Sequence, residues 1–321
     1  MKAAQIVAPR KYVILDIAEP DMGSQIPGSL LIKTGRTALC GSDMPSFSLE
    51  APASHYPRTP GVSMHECIGV VAASRSGAFR EGDPVLAIPR GMAGLAEYFL
   101  ADDTATVALP HQSRQDQLLM SQPLGTVIWA CRKLGNLLNR DAVVVGQGPM
   151  GLLMAHMLSN LGVRNVIVTD VLDYRLAVAP KMGATHTINS AKENAAAVVA
   201  DITKGRMADL VIEAVGHECD TINSCLDLVK RGGTIVAFGV PDSKMYNFRF
   251  SDFFRKNVHF IGSVGQEIQA DVPLAMEMIM QGRIDVSPII THHLPFTEAQ
   301  RGFELSLHKR EQAIKIIFEY D

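Results

Sequence analysis

The rhythm of apolar and polar positions changes near residue 123. Before it, short β-branched runs at 13–16, 30–33 and 68–73 are punctuated by Pro27 and Gly28, Pro60 and Gly61, and Pro89, Arg90 and Gly91. That is the pattern of strands joined by turns and long loops. After Gln122 and Pro123, apolar runs alternate with helical spacing. Strands are predicted at 142–145, 166–169, 210–214, 234–238 and 258–261, and helices at 151–161, 172–182 and 221–230. Repeated strand–helix units predict an α/β fold with a doubly wound parallel sheet covered on both faces. Beyond Gly265, a helix at 273–281 and a short β-rich tail close the chain. The tail is too short for a domain and is expected to return to the first one. The expected division is 1–123 as the first part of a β-rich domain, 124–265 as the parallel-sheet domain, and 266–321 as the return.

Composition narrows the class. The 321 residues carry 30 Lys and Arg against 33 Asp and Glu, a formal net charge of −3. Such a balance argues against a nucleic-acid partner, which calls for a concentrated positive face. With 47% hydrophobic and 20% charged residues, there is ample apolar surface to bury and no case for disorder. Residues 1–10 lack the apolar core of a secretory signal, and no run of 18 apolar residues predicts a membrane span. The five cysteines, Cys40, Cys67, Cys131, Cys219 and Cys225, are odd in number and irregular in spacing. They suggest free thiols and a cytoplasmic location rather than a disulfide framework.

The first chemistry lies at Gly146-Gln147-Gly148-Pro149-Met150-Gly151. Three glycines in this spacing follow a β-branched strand and open a helix, which is the setting a dinucleotide-binding turn requires. Gly146 permits the tight turn, Gly148 lets backbone approach a pyrophosphate, and Gly151 lets the helix pack closely. Asp170, 19 residues after Gly151 at the end of the next strand, is placed to take the adenosine ribose hydroxyls. Its charge favours NAD over NADP, and Arg175 close by moderates that preference.

The second lies in two separate segments, Cys40-Gly41-Ser42-Asp43 and Met64-His65-Glu66-Cys67. Cys, His and Glu are all zinc donors, although spacing alone makes this a weak signal. Together with the glycine turn, these segments make the chain resemble a zinc-containing alcohol dehydrogenase of the medium-chain dehydrogenase/reductase superfamily. The resemblance runs almost end to end through Gly82 to Val85, Leu95 to Tyr98, Gln122 to Leu124, Gly232 to Thr234 and Leu294 to Phe296. The sorbitol and threonine dehydrogenase branch is resembled most. The fold it implies is a Rossmann-type sheet beside a discontinuous GroES-like catalytic domain.

What the resemblance implies for the site is specific. Cys40 and His65 are zinc ligands, Glu66 is a third ligand or an exchanging neighbour, Asp43 orients His65, and Ser42 relays a proton. The implied reaction is reversible hydride transfer between an alcohol and NAD, in a homodimer or homotetramer whose sheet edges pair near 258–261. A non-catalytic or zinc-free NAD(P)-binding relative is the alternative. Several positions depart from the family pattern. Gln122 stands where Glu or Cys is usual, Met64 replaces a Gly, and Met44 and Pro45 stand where the relay usually ends in a His, leaving His55 as a substitute. No cysteine lies between Asp83 and Tyr98, so one catalytic and no structural zinc is expected. Ser263, Val264 and Gly265 replace the polyol-binding arginine. The segment around Phe47, Tyr56 and Arg90 and residues 263–267 are expected to wall the substrate pocket. His292 and His293, adjacent on a strand, are expected to face opposite ways. Trp129, Met276, Met278 and Met280 are expected to pack.

Overall fold

A computed structural model describes residues 1–48, 52–110, 114–216, 220–241 and 243–320. The chain divides into two compact units, one of Met1–Pro123, Glu267–Ile279 and Ile290–Asp321, the other of Leu124–Gln266 and Met280–Ile289.

The first unit begins with a hairpin of β1 (Lys2–Ala8) and β2 (Lys11–Asp16). It continues through β3 (Ser29–Ala38), β4 (Glu66–Ser74), β5 (Pro84–Pro89) and β6 (Tyr98–Ala108). These four pair in order, antiparallel throughout, and β6 pairs back onto the first half of β3. The result is a closed barrel, which leaves these strands few bare edges. Crossing strands approach so closely that a Cβ at Gly69 would lie 2.1 Å from the Lys33 carbonyl oxygen. The core holds Ile32, Met64, Cys67, Leu95, Phe99 and an aromatic group of Tyr12, Phe47 and Phe303.

The second unit is a parallel sheet: β7 (Asp141–Val145), β8 (Asn165–Asp170), β9 (His186–Asn189), β10 (Ala208–Glu213), β11 (Val229–Ala237) and β12 (His259–Gly262). Their spatial order is β12-β11-β10-β7-β8-β9. All five residues of β7 are buried, as expected of a central strand covered on both faces. Among the elements that went unrecognised in the sequence are a strand and a helix. Strand β9 is only four residues long, and helix Ala195–Ile202 is so rich in Ala and Val that its periodicity is faint. The helix predicted at 221–230 stops at Leu228, where the chain passes directly into β11. Near the C-terminus, β13 (Ile290–Pro295) and β14 (Lys315–Glu319) join the first unit's sheet, with β14 antiparallel to the second half of β3.

Asp141 anchors the amino end of β7. It is buried and accepts from Arg164 Nε at 3.0 Å and Asn165 Nδ2 at 2.7 Å, with Arg206 also in reach. Burial pushes its carboxyl up, but the Arg164 bonds, with Asn165 and Arg206, outweigh this and hold it below the usual range. A lowered carboxyl stabilises the fold above the unfolded value of about 4, and that contribution fades as pH falls through the folded value. Asp141→Asn is therefore expected to destabilise at pH 7 by about 1–3 kcal/mol. Denaturant unfolding should show the gap to wild type closing in acid, and a gap independent of pH would contradict this account.

Candidate active site

Cys40 ends the run from β3 and caps a short 3₁₀ turn, Gly41–Asp43. The buried Asp43 carboxylate folds back on that turn. Its Oδ2 accepts from Cys40 N at 2.9 Å, and its Oδ1 lies 3.2 Å from His65 Nδ1. Ser63 Oγ donates to the Asp43 carbonyl at 3.2 Å. The turn and the approach to β4 are thus tied through one carboxylate, and His65 is held with one ring nitrogen occupied. Ligand atoms of Cys40, His65 and Glu66 all lie within 4.8 Å of one another. Burial disfavours the imidazolium, yet Asp43 and Cys40 beside it carry the His65 pKa up to about 11. A metal entering this site therefore displaces a proton, because a ligating imidazole must be neutral. The donor set, one sulfur, one nitrogen and one carboxylate, with an oriented imidazole, suits zinc.

Glu66 has a partner that sequence reasoning missed. Both carboxylate oxygens meet Lys315 Nζ, at 2.7 and 2.6 Å, and the two side chains are 0% and 1% exposed. A signal was present: a lone Lys inside the apolar run 313–318 implies a buried ion pair, since Lys is almost never fully buried alone. Gln122 is buried in the first turn of helix Ser121–Arg132. Ser42 is half-buried in the turn beside Cys40, and His55 is exposed in a separate turn.

In the second unit, Gly146 turns with φ +91° and the helix Pro149–Asn160 starts at Gly148. A Cβ at Gly151 would lie 1.8 Å from the Gly146 carbonyl oxygen, so only glycine fits there. A Cβ at Gly148 would meet nothing nearer than Arg175 Nη1 at 3.9 Å, which leaves open space where a pyrophosphate approaches backbone. Arg175 is mostly buried, and its Nε has no hydrogen-bond partner among the described residues. The open glycine and the under-used guanidinium form a cradle for an anion. Met150 lies in the first turn of the same helix. Asp170 accepts from Gln147 N at 2.6 Å and Leu172 N at 2.9 Å and lies 3.7 Å from Arg175. A carboxylate can accept further bonds, so these contacts leave capacity for a ribose.

Other expectations meet the structure with mixed outcomes. Phe47 is fully buried in the aromatic group and walls no pocket. Arg90 is engaged by Asp102, Ser29 and Gln25. Met64 is core. Met276 and Met278 pack, whereas Met280 is 40% exposed. Trp129 is half-buried under the Lys133 ammonium. His292 and His293 take different partners, Glu311 for one, Glu319 and Asp116 for the other. The grouping Asp116, His293 and Glu319 also brings ligand atoms together, but Arg36 sits against both carboxylates, as in an ion-pair network. Of the cysteines, Cys40, Cys67, Cys131 and Cys225 are free thiols, and Cys219 lies outside the described residues.

A glycine-turn sheet and a barrel carrying a Cys–His–carboxylate group define an α/β protein equipped for a dinucleotide and a metal. Comparison with known proteins gives the family. The zinc-binding dehydrogenase model matches residues 149–281, and the alcohol dehydrogenase GroES-like domain model matches residues 26–111. L-threonine 3-dehydrogenases of Shewanella pealeana and Escherichia fergusonii are each 28% identical over 350 residues, covering all of both chains. Alcohol dehydrogenase TADH from Thermus sp. ATN1 superposes with a TM-score of 0.87 at 24% identity, over all of both chains. An Escherichia coli oxidoreductase of unknown specificity does so at 0.85 and 25%, again over all of both. The chain belongs to the zinc-containing alcohol dehydrogenase family of medium-chain dehydrogenases.

Proposed function

We propose that this protein interconverts a secondary alcohol and its ketone, with NAD as hydride acceptor and zinc at Cys40, His65 and Glu66. The carrying observation is the convergence of those three donors within 4.8 Å from two separate chain segments. Zinc bound there supplies a Lewis acid that brings a hydroxyl pKa toward neutrality, as it does for water at about 7. Asp43 fixes the ring of His65, and Ser42, beside Cys40, takes the hydroxyl proton and passes it outward. Gly146, Gly148, Met150 and Gly151 present the helix start to the pyrophosphate, with Arg175 adding positive charge and Asp170 receiving the adenosine ribose. The threonine dehydrogenase relatives favour secondary and amino alcohols. Where polyol-binding relatives carry arginine, the buried Ser263 accepts from Lys133 Nζ at 3.1 Å.

Metal analysis of the purified protein, with NADH formation over a panel of secondary alcohols, amino alcohols and polyols, tests this reading. About one zinc per chain, and turnover lost on chelation and restored by zinc, are expected. NAD binding with neither metal nor turnover would leave only a nucleotide-binding protein. Asp170→Asn is expected to raise the NADP:NAD ratio of kcat/KM about ten-fold, because a 2′-phosphate no longer meets a carboxylate. An unchanged ratio would place the ribose elsewhere.

We also propose a homo-oligomer joined through the free edge of β12. His259 and Phe260 are exposed there, and on the preceding helix Phe250–Lys256 the side chains of Phe250 and Phe254 are 64% and 69% exposed, apolar surface that a second copy would cover. Sedimentation as a monomer would refute it. No helix among the described residues is long and apolar enough to cross a membrane. The four free thiols support the reducing environment of a cytoplasm.

A further inference from the structure

We propose that Glu213 is a positioning residue for the nicotinamide half of the dinucleotide. The proposal rests on the NAD reading above and adds a residue that neither the glycine turn nor the metal group includes. Glu213 closes β10 and is 4% exposed. Its Oε1 accepts from Val215 N at 3.0 Å, Gly216 N at 3.0 Å and Thr221 Oγ1 at 2.9 Å. Its main-chain carbonyl accepts from Phe238 N at 3.0 Å and Gly239 N at 2.9 Å. One residue thereby binds the loop after β10 to the loop after β11.

The two loops are packed backbone on backbone. A Cβ at Gly216 would lie 2.4 Å from the Val240 carbonyl oxygen, and one at Gly239 would lie 2.2 Å from Gly216 N and 2.7 Å from Glu213 Oε2. The loop after β10 also abuts the phosphate turn, since a Cβ at Gly146 would lie 2.6 Å from Val215 Cγ2. A displacement of the Glu213 carboxylate is thus passed to both loops.

Strand order locates what these loops face. From β7 the chain winds one way through β8 and β9, then the other way through β10, β11 and β12. In such sheets a dinucleotide crosses the carboxyl ends at that reversal. With Asp170 at the end of β8 taking the adenosine side, the nicotinamide side lies over the loops that Glu213 holds. The loop after β11 offers an apolar side chain there, Val240, which is 43% exposed, and Val264 after β12 is 80% exposed. Leaving a carboxylate buried is costly unless donors satisfy it, and bonds to an ionised acceptor are about twice as strong as neutral ones. Here that strength fixes loop shape.

The test compares NADH with ADP-ribose, which lacks the nicotinamide. In Glu213→Gln, the NADH Kd should rise about ten-fold while the ADP-ribose Kd stays within about two-fold. Thr221→Val removes one donor and should show the same split at about three-fold. A purely structural role would weaken both ligands together, and equal losses, or none, overturn the proposal. Should Glu213→Gln fail to fold, the split in Thr221→Val supports the proposal and its absence there overturns it. A wild-type protein that binds neither ligand removes the NAD reading itself, and this proposal with it.

Discussion

Alcohol-dependent NADH formation is expected to fall at least about a thousand-fold in His65→Ala, with NADH affinity within about two-fold of wild type. The size follows from what the metal contributes, several kcal/mol of charge stabilisation, at about 1.4 kcal/mol per factor of ten. Its selectivity follows from the architecture. His65, Cys40 and Asp43 belong to one compact unit, and the glycine turn, Asp170 and Arg175 to the other. Zinc content should fall in parallel. Asp43→Asn should act through His65 and cost roughly 10–100-fold in metal affinity, the usual effect of losing the group that orients a ligating imidazole. Because the metal-free imidazole holds its proton up to about 11, zinc uptake should weaken as pH falls, with protons released on binding. A His65→Ala protein with wild-type turnover would remove the metal group from the mechanism.

Lys315→Met is expected to destabilise the first unit by about 3–5 kcal/mol, the range for breaking a buried ion pair from one side. The Glu66 carboxylate would then sit fully buried without its counter-charge, against two contacts at 2.7 and 2.6 Å in the native protein. The double variant Glu66→Gln with Lys315→Met should recover most of the loss, because replacing both charges removes the desolvation penalty as well as the attraction. Metal sharpens the test. With Lys315 gone, a metal held with Cys40 and His65 would give Glu66 a cation in its place. Added zinc should then raise the melting temperature of Lys315→Met more than that of wild type. Thermal unfolding with and without zinc measures both effects, and a Lys315→Met protein within about 1 kcal/mol of wild type would show that the pair is not holding the barrel together.

These two residues mark the boundary of what a sequence can carry. His65 and Cys40 stood out as zinc-donor types in two short segments, and it was the family resemblance that proposed them as ligands. The lone Lys315 in its apolar run hinted at a buried ion pair, but its partner was not legible, since 249 residues separate it from Glu66 and strands β14, β3 and β4 must pair before the two meet. Glu213 is a similar case. It closes an unremarkable apolar strand, and its carboxylate gains meaning only when Val215, Gly216 and Thr221 turn their donors onto it. Phe47 erred the other way. The segment around it was expected to wall a pocket, but Tyr12 and Phe303, from distant segments, enclose the Phe47 ring itself.

By itself the sequence determined the parallel sheet, the glycine turn and the donor types of the metal group. Each of these rests on local physics: side-chain periodicity, the φ freedom of Gly146, and the chemistry of Cys, His and Glu at short range. Tertiary structure alone decided which charges became partners, which aromatics became core, and how Glu66 is held. Those outcomes depend on burial and on contacts between residues far apart in the chain, where desolvation makes an unpaired charge too costly to leave alone.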